Sequence, residues 1–207
     1  MIDNYLRGWL EGPLDRCART LDKGPITPDR ITAAGLALGL GSALAAGLQF
    51  WWLALVLWIL SRIADGLDGP LARRRATHGN VDGGAGGFFD ITADFVVYGT
   101  TVVGVAVGAS AGYDAPWWPF LLVLLAYYIN GTAFLAFSSI AERNGRQIDD
   151  GRSLSFLGGL AEGAETIAVH SLWLLLPGIS PQIAVVWAAV VAISSGQRII
   201  AGYRALS

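Results

Sequence analysis

Four carboxylates set against membrane-like apolar runs constrain this chain more than any other feature. Asp65 and Asp68 follow the run FWWLALVLWILSRIA, while Asp90 and Asp94 precede FVVYGTTVVGVAVGA. A fifth aspartate, Asp82, stands between the pairs in a Gly-rich spacer. An acidic side chain at the centre of a bilayer costs about 2.5–3.5 kcal/mol even on the lowest scales, so four of them together point to a function. Asp65 and Asp68 are three residues apart and Asp90 and Asp94 four apart, spacings that put each pair on one face of a helix. Hard oxygen ligands converging from two helices suit a divalent cation of the Mg²⁺, Mn²⁺ or Ca²⁺ kind.

The rest of the chain agrees with a membrane setting. It is 54% hydrophobic and only 14% charged over 207 residues, the length of a single domain, 1–207. The expected fold is all-α and polytopic, with six transmembrane segments at about 28–48, 50–75, 86–109, 116–141, 155–176 and 181–204. Each reaches the roughly 20 residues that span a bilayer core. Residues 1–26 form a lead-in in which Tyr5, Leu6, Trp9 and Leu10 share one helical face, the pattern of an interfacial amphipathic helix. Thr27-Pro28-Asp29 is a helix start, and Gly35, Gly39 and Ala43 make a small-residue stripe for close packing. No cleavable leader is read in the first thirty residues, and the single Cys17 excludes an intrachain disulfide.

Charge placement gives an orientation. All 14 basic residues fall toward one side, from Arg7, Arg16, Arg19, Lys23 and Arg30 through Arg62, Arg73, Arg74 and Arg75 to Arg143, Arg146, Arg152, Arg198 and Arg204. The positive-inside rule then makes both termini and the aspartate-bearing loop cytosolic. At 1.5 Å per residue, the four aspartates lie roughly 6–15 Å from the cytosolic ends of their helices, within reach of one shared site. Trp51, Trp52, Trp117, Trp118 and Trp173 fall near the opposite interface, as an aromatic belt would.

Such a site suits diphosphate chemistry, where paired metals stabilise the attacking and leaving oxygens together. Asp65, Asp68 and Asp90 are the natural ligands, with Asp94 either completing the site or accepting a proton from a hydroxyl. Gly69 leaves space for a nucleotide, Ala72 keeps that face open, and Arg73 can hold a phosphate oxygen. These positions, Asp65-x-x-Asp68-Gly69-x-x-Ala72-Arg73 and then Gly86-x-x-x-Asp90-x-x-x-Asp94, resemble the signature of the CDP-alcohol phosphatidyltransferases. The spacer, residues 74 to 85, runs longer than the usual form, and its glycines and polar residues read as a loop. The stretch LSFLGGLAEGAET and the GGFFD form around Asp90 look most like a bacterial inner-membrane branch of that family.

The resemblance implies metal binding by Asp65, Asp68 and Asp90, a base at Asp94, and contacts from Gly69, Ala72, Arg73 and Gly86 to the CDP moiety. It implies Mg²⁺ or Mn²⁺, two ions in all, and a homodimer in the inner membrane. The reaction would join a CDP-alcohol, foremost CDP-diacylglycerol, to the hydroxyl of a small polar alcohol with release of CMP. Transfer from a soluble CDP-alcohol to a lipid hydroxyl is the variant, and a divalent-cation path is the reading from another class. Nucleic acid is not an expected partner. Arg143, Arg146, Arg152 and Arg198 are candidates for binding a phosphorylated acceptor. Glu162 and Glu165 share a face as structural or acceptor-binding residues, and a structural ion pair among Glu165, Arg198 and Arg62 is the first reading. His170 is expected to pack or hydrogen-bond rather than bind metal.

Overall fold

The structure, a computed structural model, describes residues 12–20, 22, 25–76, 84–145 and 161–207, and all regular structure among them is helical. Helix α1 covers residues 12–20. It is followed by α2 (Pro28–Gly47), α3 (Trp51–Ala76), α4 (Ala85–Tyr113), α5 (Trp118–Arg143) and α6 (Gly163–Leu175). A short 3₁₀ turn at Pro177–Ile179 then leads into α7 (Ser180–Leu206). The start of α2 is as the sequence foretells: Thr27 Oγ1 accepts the Arg30 N–H at 3.3 Å, and Pro28 opens the helix where its missing N–H costs nothing. Helix α4 begins after Gly84, whose φ of 91° is open to glycine without a Cβ penalty.

Among the described residues, four helices are long and apolar enough to cross a membrane: Pro28–Gly47, Ala85–Tyr113, Trp118–Arg143 and the continuous stretch Pro177–Leu206. Helix α3 has the length, 26 residues, but carries Arg62, Asp65, Asp68 and the terminal run Arg73–Arg75. Helix α6 is 13 residues long as described, and the first residues of the expected fifth segment lie outside the described residues. Leu44, Trp52, Leu125, Tyr128, Val186 and Ile193 are each more than half exposed. Apolar surface on this scale belongs against lipid tails rather than water. The protein is a membrane protein.

Small residues decide which helices meet. Helix α2 packs on both α3 and α4, while α5 pairs with α7 and α6 lies against α3. Gly35, Gly39 and Ala43 are all buried, so the expected stripe is the packing face of α2. A Cβ at Gly35 would meet the Ser61 carbonyl and Ala64 of α3 at 3.4 Å, and one at Gly39 would strike Val97 of α4 at 2.6 Å. From the other side, Gly104 and Gly108 of α4 rest on the backbone carbonyls of Ala43 and Ala46. Backbone meets backbone there, which is how helices associate without a hydrophobic drive between them.

Gly104→Ala is accordingly expected to destabilise the protein by about 1–3 kcal/mol, since the methyl group must push two backbones apart. Gly99→Ala is the control: it has open space around it and stands to gain the ordinary helix preference of alanine. Thermal unfolding in detergent checks the pair, and equal melting of both variants would contradict this packing account.

The core between these helices holds Trp58, Trp173, Phe120, Val97, Val102 and His170, each with no more than 1% exposure. His170 Nε2 lies 2.8 Å from Tyr127 Oη, which accepts the Trp187 indole N–H at 2.7 Å. The expected packing role of His170 is met. The aromatic belt needs one correction: Trp52, Trp117 and Trp118 are exposed, but Trp173 is wholly buried against Phe120 and His170. Hydropathy placed it by depth, and depth does not say which face of a helix turns inward. The expected interfacial cluster of Tyr5, Leu6, Trp9 and Leu10 lies outside the described residues.

Candidate functional site

Helix α3 delivers Arg62, Asp65 and Asp68, and α4 delivers Asp90 and Asp94 from its first turns. Helix α2 packs on both of these helices, and long side chains of α3 and α4 meet beside it. The carboxyl groups of Asp65 and Asp94 lie within hydrogen-bonding reach, as do those of Asp68 and Asp90. The structure therefore places the four aspartates singled out from the sequence as two pairs, Asp65 with Asp94 and Asp68 with Asp90.

Two further residues complete the polar cluster. Thr32 of α2, 5% exposed, donates its hydroxyl to Asp68 Oδ2 at 2.6 Å. It lies three residues before Gly35, so the buried face of α2 continues into the site. Arg62 donates through Nη1 to Asp94 Oδ1 at 2.6 Å, with Asp65 Oδ1 farther off at 3.7 Å. Sequence reasoning missed both as site residues. Arg62 sits three residues before Asp65, on its face of the helix, and that spacing was the available signal. The expected ion pair of Arg62 with Glu165 is corrected here: the nearer aspartates of α4 and α3 take the guanidinium instead.

The remaining candidates stand as follows. Gly69 and Arg73 lie one turn apart at the end of α3, and a Cβ at Gly69 would meet Arg73 Nη1 at 3.4 Å. Ala72 and Arg73 are exposed, and Gly86 is half-buried in the first turn of α4. Arg74 and Arg75 turn toward the lead-in: Arg74 lies 3.5 Å from Asp15, and Arg75 donates to Asp22 at 3.2 Å. Leu14 of α1 sits against Gly66, so the lead-in covers this end of α3. Arg143 is exposed at the end of α5, while Arg146 and Arg152 lie outside the described residues. Arg198, 5% exposed, donates to Asn130 Oδ1 at 3.1 Å and reaches toward the Ala161 carbonyl at 3.5 Å. Glu162 is buried just before α6, and Glu165 is half-buried in its first turn.

The donor set, four carboxylates beside a hydroxyl, is of the kind that suits a hard cation, and Arg62 offsets part of its charge. Among the described residues, no three His, Cys, Asp or Glu side chains close around one point; the carboxylates stand as two pairs, Asp65 with Asp94 and Asp68 with Asp90.

Comparison with known proteins agrees. The sequence profile of the CDP-alcohol phosphatidyltransferase family matches residues 25–194. The inner membrane protein YnjF of Escherichia coli is 36% identical, over 100% of this chain and 97% of that protein. An archaetidylinositol phosphate synthase of Pyrococcus horikoshii is 30% identical over 69% of this chain and 77% of its own length. In fold, the chain resembles a Mycobacterium tuberculosis phosphatidylinositol phosphate synthase solved with CDP-DAG bound. Their TM-score is 0.65 at 19% identity, covering 93% of this chain and 92% of the other. With most of its length matched by the family profile and a relative 36% identical over its full length, the chain belongs to the CDP-alcohol phosphatidyltransferases and is a membrane transferase of phospholipid biosynthesis.

Proposed function

We propose that the protein transfers a phosphatidyl group from CDP-diacylglycerol to the hydroxyl of a small polar alcohol, releasing CMP. The convergence of Asp65, Asp68, Asp90 and Asp94 carries this reading. Asp65, Asp68 and Asp90 hold Mg²⁺ or Mn²⁺, with Asp94 at the border of the same site. When bound, the two ions supply neutralisation of the diphosphate oxygens and of the charge on the departing CMP. Arg73 holds a phosphate oxygen by charge-assisted hydrogen bonds, while Gly69, Ala72 and Gly86 leave the cytidine side unobstructed. Asp94 takes the proton of the acceptor hydroxyl as its oxygen bonds to the phosphatidyl phosphorus. The phosphoanhydride bond breaks in the same displacement, and its electron pair leaves with CMP. Arg143, Arg146, Arg152 and Arg198 serve a phosphorylated acceptor, and the name of the Pyrococcus relative favours an inositol phosphate among candidates.

Incubation of the purified protein with CDP-diacylglycerol, Mg²⁺ or Mn²⁺ and a panel of alcohols tests this through CMP release. Release only from soluble CDP-alcohols with a lipid acceptor would reverse the roles of donor and acceptor. No release from either donor, by protein that binds both metal and nucleotide, would reject the reading.

The same proposal has six spans, adding α3 and the segment that ends in α6 to the four apolar helices. Both termini and the aspartates face the cytosol of a bacterial inner membrane, within a homodimeric, single-domain protein of residues 1–207. One-sided basic residues support this orientation, and the name of the Escherichia coli relative supports the membrane. Asn144→Cys is expected to react with an impermeant thiol reagent from the cytosolic side, and Ala111→Cys from the outer side. Labelling of both from one side would overturn the span count and the placement of the site.

A further inference from the structure

We infer that Arg62 is a positioning residue for Asp94, built from three helices to hold one oxygen of that carboxylate and leave the other for the acceptor proton. The inference rests on the proposed role of Asp94 as base.

Arg62 is 8% exposed, and a cation so far from water must be compensated. Neutralisation alone would be met by any carboxylate nearby, and Asp65 on the same helix is the simplest choice. The guanidinium instead favours Asp94 of the next helix, at 2.6 Å against 3.7 Å for Asp65. Its plane is fixed by two aromatic rings. Its central carbon lies 5.2 Å from the Trp58 ring centroid and 5.0 Å from that of Tyr98. Trp58 stands one turn before Arg62 on α3, and Tyr98 one turn after Asp94 on α4. The two helices that carry the ion pair therefore also carry its clamp.

The second amino group is anchored as well. Arg62 Nη2 donates to Ser61 Oγ at 3.0 Å, and Ser61 passes its own proton to the Gly35 carbonyl of α2 at 2.7 Å. A lysine could carry the charge, but its point-like ammonium cannot serve Ser61 and Asp94 in one plane between two rings. The geometry is that of a fork whose direction matters. It pins Asp94 Oδ1, so the carboxylate cannot swing, and misplacement of a reacting group by about 1 Å is enough to cost roughly 10²-fold in rate.

The test is a double-mutant cycle on the full-length protein in detergent, with CMP release for turnover and Mn²⁺ titration for the metal alone. Arg62→Gln is expected to lower kcat by about 10²-fold, with KM for CDP-diacylglycerol and the Mn²⁺ dissociation constant within about threefold of the parent. Combined with Asp94→Asn, the same substitution should cost almost nothing more, because its effect runs through Asp94. Arg62→Lys should recover only a small part of the loss. Ser61→Ala, which removes one anchor and keeps the charge, should lower kcat in the same direction by less, and it serves if Arg62→Gln fails to fold.

Additive losses in the double variant would overturn the inference, as would a fully active Arg62→Lys or Ser61→Ala. A loss of Mn²⁺ affinity matching the loss of rate would overturn it too, since Arg62 would then act on the metal site. If Asp94→Asn alone keeps its turnover, the base assignment itself falls. If Asp94→Asn is slow and Arg62→Gln is not, only the inference about Arg62 falls.

Discussion

Asp94→Asn is expected to fold, to bind Mn²⁺ and CDP-diacylglycerol, and to lose turnover by roughly 10²–10⁴-fold, the usual range for removal of a general base. An alcohol is far too weak an acid to ionise at neutral pH, so its proton has to leave as the bond to phosphorus forms. Asp94 is suited to receive it: the carboxylate is 34% exposed at its side chain and touches the cluster through Arg62. His170 offers no substitute, being wholly buried among Trp58, Tyr98, Tyr127 and Trp173. The fold should tolerate the change because asparagine keeps an oxygen for Arg62 Nη1, and Asp65 remains 3.7 Å away to balance the guanidinium. A variant with near-native turnover at saturating metal would sink the assignment. Recovery on raising the metal concentration would make Asp94 a ligand instead.

Asp68→Asn should fail differently. Asp68 is 6% exposed, and the Thr32 hydroxyl orients one oxygen of the carboxylate that is proposed to bind the cation. Loss of the charge should weaken Mn²⁺ binding by roughly 100-fold or more, and turnover should fall with it and return in part at high metal. Thr32→Val removes only the outer hydrogen bond, for which about 10–100-fold is the ordinary cost. Titration of Mn²⁺ into the two variants checks the order. Equal, native-like affinity in both would remove Asp68 from the metal site.

Much of this site was legible in the chain because its information is local. The aspartate spacings, the Thr27-Pro28 helix start and the Gly35–Gly39–Ala43 stripe each express one helix's own periodicity, and the structure carries them through. What escaped was information held between helices. Thr32 becomes a partner of Asp68, 36 residues on in the chain, only because α2 lies against α3. Arg62 was read toward Glu165 on grounds of depth alone, although two aspartates lie closer in space. Trp173 failed for a similar reason: an indole at interfacial depth can face lipid or core, and only the neighbouring helices decide. The spacer, residues 74 to 85, was read as a loop by composition; 74–76 and 85 belong to α3 and α4 instead, and 77–83 lie outside the described residues.

The backbone contact of Gly104 and Gly108 with α2 has a consequence for how such a protein diversifies. Thr32, Arg62 and all four aspartates belong to α2, α3 and α4, which those glycines and Gly35 and Gly39 lock into one unit. Helices α5 and α7 form a separate pair, and it is they that carry Asn130, Arg143 and Arg198. Substitutions that remodel the second unit therefore need not disturb the first. If Arg143 and Arg198 serve the acceptor as proposed, a lineage can exchange one alcohol for another by altering the α5–α7 pair while the phosphoryl chemistry stays as it was, a separation of what is made from how it is made.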